Sequence, residues 1–322
     1  MHRLILDTDP GIDDAMSFAF LRARPDVTIE AITTIYGNVD VATATRNALF
    51  LADRFGIDAP VYEGAARPLA MPRRPAPAHV HGLDGFGDTG IADGFAGAPA
   101  QGNAAEAIVR TVREAPGAVS ILAIGPLTNL ALALEHDPGI ARLVREVVVM
   151  GGSFGYGARR GNVSPVAEAN VANDPLAADR VFGAAWPMTA IGLDVTSRCI
   201  LPAVDANRLA DRGGDTGRLL RRISLGYEQL YREHDGIDGC CIHDVVAAIR
   251  LVEPGLFTTV AGPIRAVTEG IAAGQTILKP VDQSFPPGAW DGLPVQQAAI
   301  DVDVDRLLAL YEAAILDPAL QG

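Results

Sequence analysis

The chain has 322 residues, 49% hydrophobic and 20% charged, enough apolar material for a packed α/β core and too little charge for disorder. Its formal net charge of −13 argues against a nucleic-acid polyanion or an anionic membrane as partner, and leaves a neutral nucleoside or sugar open. An acidic motif beginning at residue 7, the lack of any apolar run near about 18 residues and three cysteines, two of them adjacent, point to a reduced, cytoplasmic protein.

Leu4-Ile5-Leu6 begins a buried strand that ends in Asp7-Thr8-Asp9-Pro10-Gly11-Ile12-Asp13-Asp14. Pro10-Gly11 suits a tight turn, and a helix with acids in its first turn follows to about Leu21. Strand alternation puts Asp7 and Asp9 on one face, and the turn brings Asp13 and Asp14 back towards them. So many carboxylates at a strand's carboxyl end call for raised pKa values or a bound cation. With no Cys or His nearby, the cation is a hard one, Ca²⁺ or Mg²⁺.

A β-branched strand at 27–35 runs into Tyr36-Gly37-Asn38 and then a helix from about Val41 to Phe55. Asn38 therefore also lies just past a strand's carboxyl end. Val61-Tyr62 reads as a short edge-like strand. Residues 65–102, dense in Pro, Gly and Ala, form a long loop of the lid or binding type, from which His81 can reach a site. Alternation resumes with a helix at about 103–114 and a strand at 119–124, turned by Gly125-Pro126 into the next helix. A strand at 145–150 ends in Gly151-Gly152, whose lack of side chains lets backbone approach a ligand.

Asn162, Glu168 and Asn170 supply amides and a carboxylate suited to a polyhydroxylated ligand, and Asp174-Pro175 reads as an N-cap with Pro at N1. A strand at 187–192 precedes helices at about 203–212 and 216–233, the second placing Tyr227 and Tyr231 on one face. Cys240 and Cys241 read as packing residues. His243-Asp244 opens an apolar helix, another ionisable pair at a helix start. The tail reads as short strands, a hairpin-like segment near Ala273-Gly274 and a closing helix at 303–315. The expected fold is α/β, an open, mostly parallel sheet flanked by helices with a Rossmann-like core and a small C-terminal β element, in a single domain spanning 1–322.

Together these stretches resemble the inosine–uridine-preferring nucleoside hydrolase family over nearly the whole chain. Asp7-Thr8-Asp9-Pro10-Gly11-Ile12-Asp13-Asp14-Ala15 is similar to the family's acidic signature. Supporting matches are Thr33 through Asn38, His79-Val80-His81-Gly82, Gly125 through Asn129, Met150-Gly151-Gly152, Ala167-Glu168-Ala169-Asn170 and His243-Asp244. The resemblance implies a Ca²⁺ held by Asp9, Asp14, Asp244 and the main-chain carbonyl of Ile124, with Asp9 also the general base. It implies ribose contacts from Asp13, Asn38, Asn162, Glu168 and Asn170 and the main chain of Met150, with Asn38 also in the catalytic set. His243 corresponds to a donor to the leaving base, and His81, Tyr227 and Tyr231 to positions near the base. A ribonucleoside substrate and a homodimer or homotetramer are further implications.

Departures are Ala169, where some members carry an aromatic residue, a long 151–161 loop with Arg159-Arg160, and a Pro-rich 70–78 segment. A pyrimidine-preferring or modified-ribonucleoside hydrolase, and a non-catalytic Ca²⁺- and nucleoside-binding protein, are the alternatives. A Mg²⁺ phosphotransferase of the haloacid-dehalogenase type is disfavoured, because Gly11 stands where that family places Thr or Val and the motif offers no basic residue for a phosphate.

Overall fold

The structure is a computed structural model that describes residues 1–318; the last four residues of the expected domain lie outside it. β1 (His2–Thr8) turns into α1 (Ile12–Arg22), β2 (Val27–Thr34) into α2 (Val41–Phe55), and the two-residue β3 (Val61–Tyr62) follows. The short α3 (Ala78–His81) interrupts the long loop before α4 (Ala104–Glu114), β4 (Val119–Ala123), α5 (Thr128–His136) and β5 (Glu146–Met150). Next come α6 (Ala169–Asn173), α7 (Pro175–Phe182), β6 (Met188–Ile191), α8 (Leu193–Thr196), β7 (Ile200–Pro202), α9 (Ala203–Arg212) and α10 (Gly214–Asp235). β8 (Gly239–Cys241), α11 (His243–Val252), β9 (Phe257–Gly262), β10 (Ile264–Ala266), β11 (Thr276–Leu278), β12 (Gln296–Val302) and α12 (Val304–Ile315) complete the order.

Eight strands form one sheet in the order β3-β2-β1-β4-β5-β6-β12-β9, parallel except for the edge strand β9, which runs antiparallel to β12. Alternation along the central strands sorts side chains into two cores. Leu4, Leu6, Leu122 and Val148 face one, while Ile5, Ile121, Val147 and Val149 face the other. A parallel sheet covered on both faces needs such continuous apolar runs. β10 and β11 pair antiparallel as the small C-terminal β element.

The chain leaves β1 towards β2 and β3 on one side, then returns to β4, β5 and β6 on the other. The strand order thus reverses between β1 and β4, which is where open α/β sheets form a crevice at their carboxyl ends. Asp9 follows one of these strands and Ile124 the other.

The 65–102 segment is tied down along its length. Asn129 accepts the Ala65 N–H at 2.9 Å, and Asp174 accepts the Leu69 N–H at 2.8 Å. Asp174 also caps α7 by accepting the Ala177 N–H, as its place before Pro175 predicts. Phe86 is fully buried, with its ring 6.1 Å from Phe50, a burial that contributes about 1.5–3 kcal/mol. These anchors set the position of α3 over the crevice.

Candidate active site

β1 ends at Thr8, so its alternation stops before Asp9, and the four aspartates part company. Asp7 is directed to Thr33 Oγ1 at 2.6 Å and Asn129 Nδ2 at 2.8 Å, both donating to its Oδ1. The expectation that Asp7 shares a cluster with Asp9 is therefore corrected: Asp7 ties β1 to β2 and α5. Asp13, Asp14 and Asp244 do converge, with one carboxylate oxygen of each lying within 4.8 Å of the others.

Asp9 lies beside this trio, buried at 1% exposure. Asn38 N–H donates to its Oδ2 at 2.7 Å, while its Oδ1 has no hydrogen-bond partner among the described residues. Two glycines make room for it. A Cβ on Gly37 would stand 1.9 Å from Oδ2 and one on Gly125 2.6 Å from Oδ1, so the turns after β2 and β4 both close onto this carboxylate. Asp14 accepts bonds from Thr8 Oγ1 at 2.5 Å, Gly11 N at 2.9 Å and Asn38 Nδ2 at 3.1 Å.

Burial pushes the carboxyls of Asp9, Asp13, Asp14 and Asp244 above the ordinary range, and neighbouring carboxylates push Asp9, Asp13 and Asp244 further. None of the four makes an ion pair with an Arg or Lys among the described residues. An all-oxygen, buried cluster beside an orphaned carboxylate oxygen fits a hard divalent cation.

Around the trio, a cavity of about 410 Å³ is lined by Asp13, Asn38, His81, Ile124, Met150, Asn162, Glu168, Asn170, Tyr227, Tyr231, His243 and Asp244, among others. Asn170 Nδ2 donates to the carbonyls of Ile124 at 3.0 Å and Met150 at 3.1 Å, bracing the ends of β4 and β5. Glu168 caps α6, accepting the N–H groups of Asn170, Val171 and Gly152. Burial raises its carboxyl against those three donors. Asn162 sits exposed at the rim.

Gly152 was expected to admit a ligand; instead its Cα packs on Thr276, where a Cβ would approach to 2.8 Å, and its N–H is spent on Glu168. The space beside it is filled by β11, a contact that only the fold creates.

At the other end, His81 is buried, accepts the Ile12 N–H at 3.3 Å and stacks on Tyr227 with ring centroids 5.7 Å apart. Burial lowers its imidazole to about 3. Tyr227 and Tyr231 pack edge to face at 4.9 Å, their hydroxyls 3.2 Å apart. Tyr231 Oη lies 2.9 Å from His243 Nε2, and Thr196 Oγ1 lies 2.8 Å from His243 Nδ1. Burial, then the charge of Arg159, lowers the His243 imidazole to about 4. The core-type spacing of the two tyrosines and the helix-start position of His243 thus meet in one chain of polar contacts.

Sequence reasoning missed two participants, Thr196 and Asp194, both on α8. The available signal was Gly192 at the carboxyl end of β6, the same position that Asp9, Asn38 and Met150 occupy on or beside their strands. The three cysteines are buried and free, as packing residues would be. No helix among the described residues is long and apolar enough to cross a membrane.

A sequence profile of the inosine-uridine preferring nucleoside hydrolase family matches residues 4–309. The chain is 39% identical to a probable uridine nucleosidase 1 of Oryza sativa subsp. japonica, covering 98% of this chain and 97% of that protein. It is 40% identical to the non-specific ribonucleoside hydrolase RihC of Salmonella enteritidis, over 85% of this chain and 87% of that protein. The solved plant nucleoside hydrolase PpNRh1 superposes with a TM-score of 0.94 at 36% identity, covering 98% of this chain and 99% of that one. With the sheet order, the crevice and the acidic cluster in view, the chain belongs to the inosine–uridine preferring nucleoside hydrolase family, hydrolases of N-glycosyl compounds.

Proposed function

We propose that this protein hydrolyses the N-glycosidic bond of ribonucleosides to ribose and free base, dependent on Ca²⁺ and with Asp9 as general base. The observation that carries the reading is the convergence of Asp13, Asp14 and Asp244 beside an Asp9 whose Oδ1 is buried and unpartnered. Asp9, Asp14, Asp244 and the Ile124 carbonyl would hold the ion, and Asp13 is left for the ribose. A bound cation of this kind supplies a water of lowered pKa and a fixed point for ribose hydroxyls.

The residues of the chain do the rest. Asp9 Oδ1 accepts the proton of the attacking water, and its buried setting raises its basicity above that of an ordinary carboxylate. Asp13, Asn162, Glu168 and Asn170 bind the sugar hydroxyls, with the Met150 carbonyl alongside. Asn38 orients Asp9 and Asp14 at once, through its N–H and its Nδ2. The carboxylates also face the positive charge that develops on the ribose ring as the bond breaks. His81, Tyr227 and Tyr231 wall the base, and His243, held by Thr196, orients the Tyr231 hydroxyl within that wall. The names of the rice and Salmonella relatives support uridine within a broad substrate range.

The test is ribose release from inosine, adenosine, guanosine, uridine and cytidine with phosphate absent, for wild type and Asp9→Ala. Release by the wild type that the variant loses supports the reading. Equal release by both removes Asp9 from the chemistry.

A further inference from the structure

The cavity is lopsided in charge. Asp13, Glu168 and Asp244 line it around the acidic trio, with Asp9 and Asp14 beside them, whereas Arg159 lines it near His243, whose ring its charge reaches, and is paired there with Asp235. Among the described residues that line it, Arg159 is the one arginine, and no lysine is present. Two other candidate donors there, His243 and Tyr231, are engaged within the protein. His243 has Thr196 on one ring nitrogen and Tyr231 on the other, and Tyr231 also meets Tyr227.

Arg159 belongs to a built loop. Ser153 Oγ donates to the Arg159 carbonyl at 2.7 Å. The buried Asp194 carboxylate accepts the N–H groups of Phe154 at 2.7 Å, Tyr156 at 2.7 Å and Gly157 at 3.0 Å. Asp194 sits two residues before Thr196 on α8, so one short helix anchors both the Arg159 loop and the His243 ring. The guanidinium itself pairs with Asp235 through Nη2 at 2.5 Å, the two side chains being 38% and 24% exposed. Such a half-exposed pair is weak enough to share its cation with a ligand.

We propose that Arg159 is a specificity-determining residue that contacts the carbonyl oxygens of the departing base and offsets the negative charge building there. The inference rests on the hydrolase reading above. The C1′–N bond breaks with its electron pair passing to the base nitrogen and out to the carbonyl oxygens. The water oxygen bonds to C1′, its proton passes to Asp9, and the base regains a proton from solvent. A guanidinium suits this because it keeps its charge without giving up a proton and aims several coplanar donors at carbonyl edges. With carboxylates facing the ribose and a cation facing the base, the site is polarised along the bond that breaks. The ligand class is a ribonucleoside with an oxo base. Ring amino groups would set donor against donor.

The test compares uridine, 5-fluorouridine and 4-nitrophenyl β-D-ribofuranoside, whose nitrophenolate leaves without help, for wild type, Arg159→Met and Arg159→Lys. We expect Arg159→Met to lower kcat/KM by about 30-fold on uridine, less on 5-fluorouridine and by under about 3-fold on the nitrophenyl riboside. Arg159→Lys keeps the charge but loses the coplanar donors, and recovers part of the uridine activity. Unchanged nitrophenyl turnover also reports an intact site. Equal losses on all three substrates, or no loss on uridine, overturn the proposal while leaving the hydrolase reading standing. Turnover of uridine 5′-monophosphate above uridine that Arg159→Met abolishes assigns the guanidinium to a phosphate and likewise overturns it. Wild type inactive on every substrate overturns the hydrolase reading first.

Discussion

Asp9 Oδ1 is a buried carboxylate oxygen that nothing among the described residues satisfies, an expense of stability that catalysis can use. Asp9→Asn should lower ribose release from uridine by about 10³-fold, within the range of a lost general base. It should also raise the melting temperature of the cation-free protein, because one of several mutually repelling groups becomes neutral. A lowered melting temperature would show that Asp9 is held by something stabilising. His81 contributes with the opposite dependence on acid. Its folded value of about 3 lies below the ordinary 6.5, so the stability it confers is complete above about pH 6.5 and drains as pH falls towards 3. Denaturant titrations between pH 7 and 5 should show His81→Asn flattening the slope by up to one proton, about 1.4 kcal/mol per pH unit. Identical slopes would mean that the ring is protonated in place.

At the scale of elements, the turns after the strands decide the site. Gly37→Ala puts a methyl 1.9 Å from Asp9 Oδ2 and should cost about 100-fold in kcat/KM through displacement of that carboxylate, with the fold retained by circular dichroism. Asp194→Ala strips three N–H groups of their acceptor, and limited proteolysis should then cut within 153–161, where the wild type resists. The elements themselves were legible in the chain. Apolar runs gave the strands, and α2, α9 and the Asp174-Pro175 start of α7 stand where their caps and periodicity put them. The turn's spacing already put Asp13 and Asp14 together, but Asp244 joined Asp14 only through the family resemblance, since it lies 230 positions further along the chain. Asp7 illustrates what periodicity misses: its partner Asn129 lies 122 residues away, on α5. Thr196 and Asp194 carried no signature of their own, and Gly152 meets Thr276 only because β11 folds back over it.

Over the whole molecule, the proposed cation would be linked to the fold. The clustered carboxyls titrate above their ordinary value of 3.8 when folded, so protons and a cation compete for the same oxygens. Without cation, the stabilisation from protonating them is complete below the unfolded value and is lost as pH rises through the raised folded ones. Apparent Ca²⁺ affinity should accordingly weaken as pH falls from 8 to 5, and added Ca²⁺ should raise the melting temperature in proportion to the logarithm of its concentration. A calorimetric titration at each pH reads both the affinity and the protons released. The most direct measurement is ribose release from uridine by chelator-stripped protein as Ca²⁺ is returned. Activity that vanishes on stripping and returns at one ion per chain is the predicted result. Full activity with the ion removed would contradict a cation-dependent hydrolase.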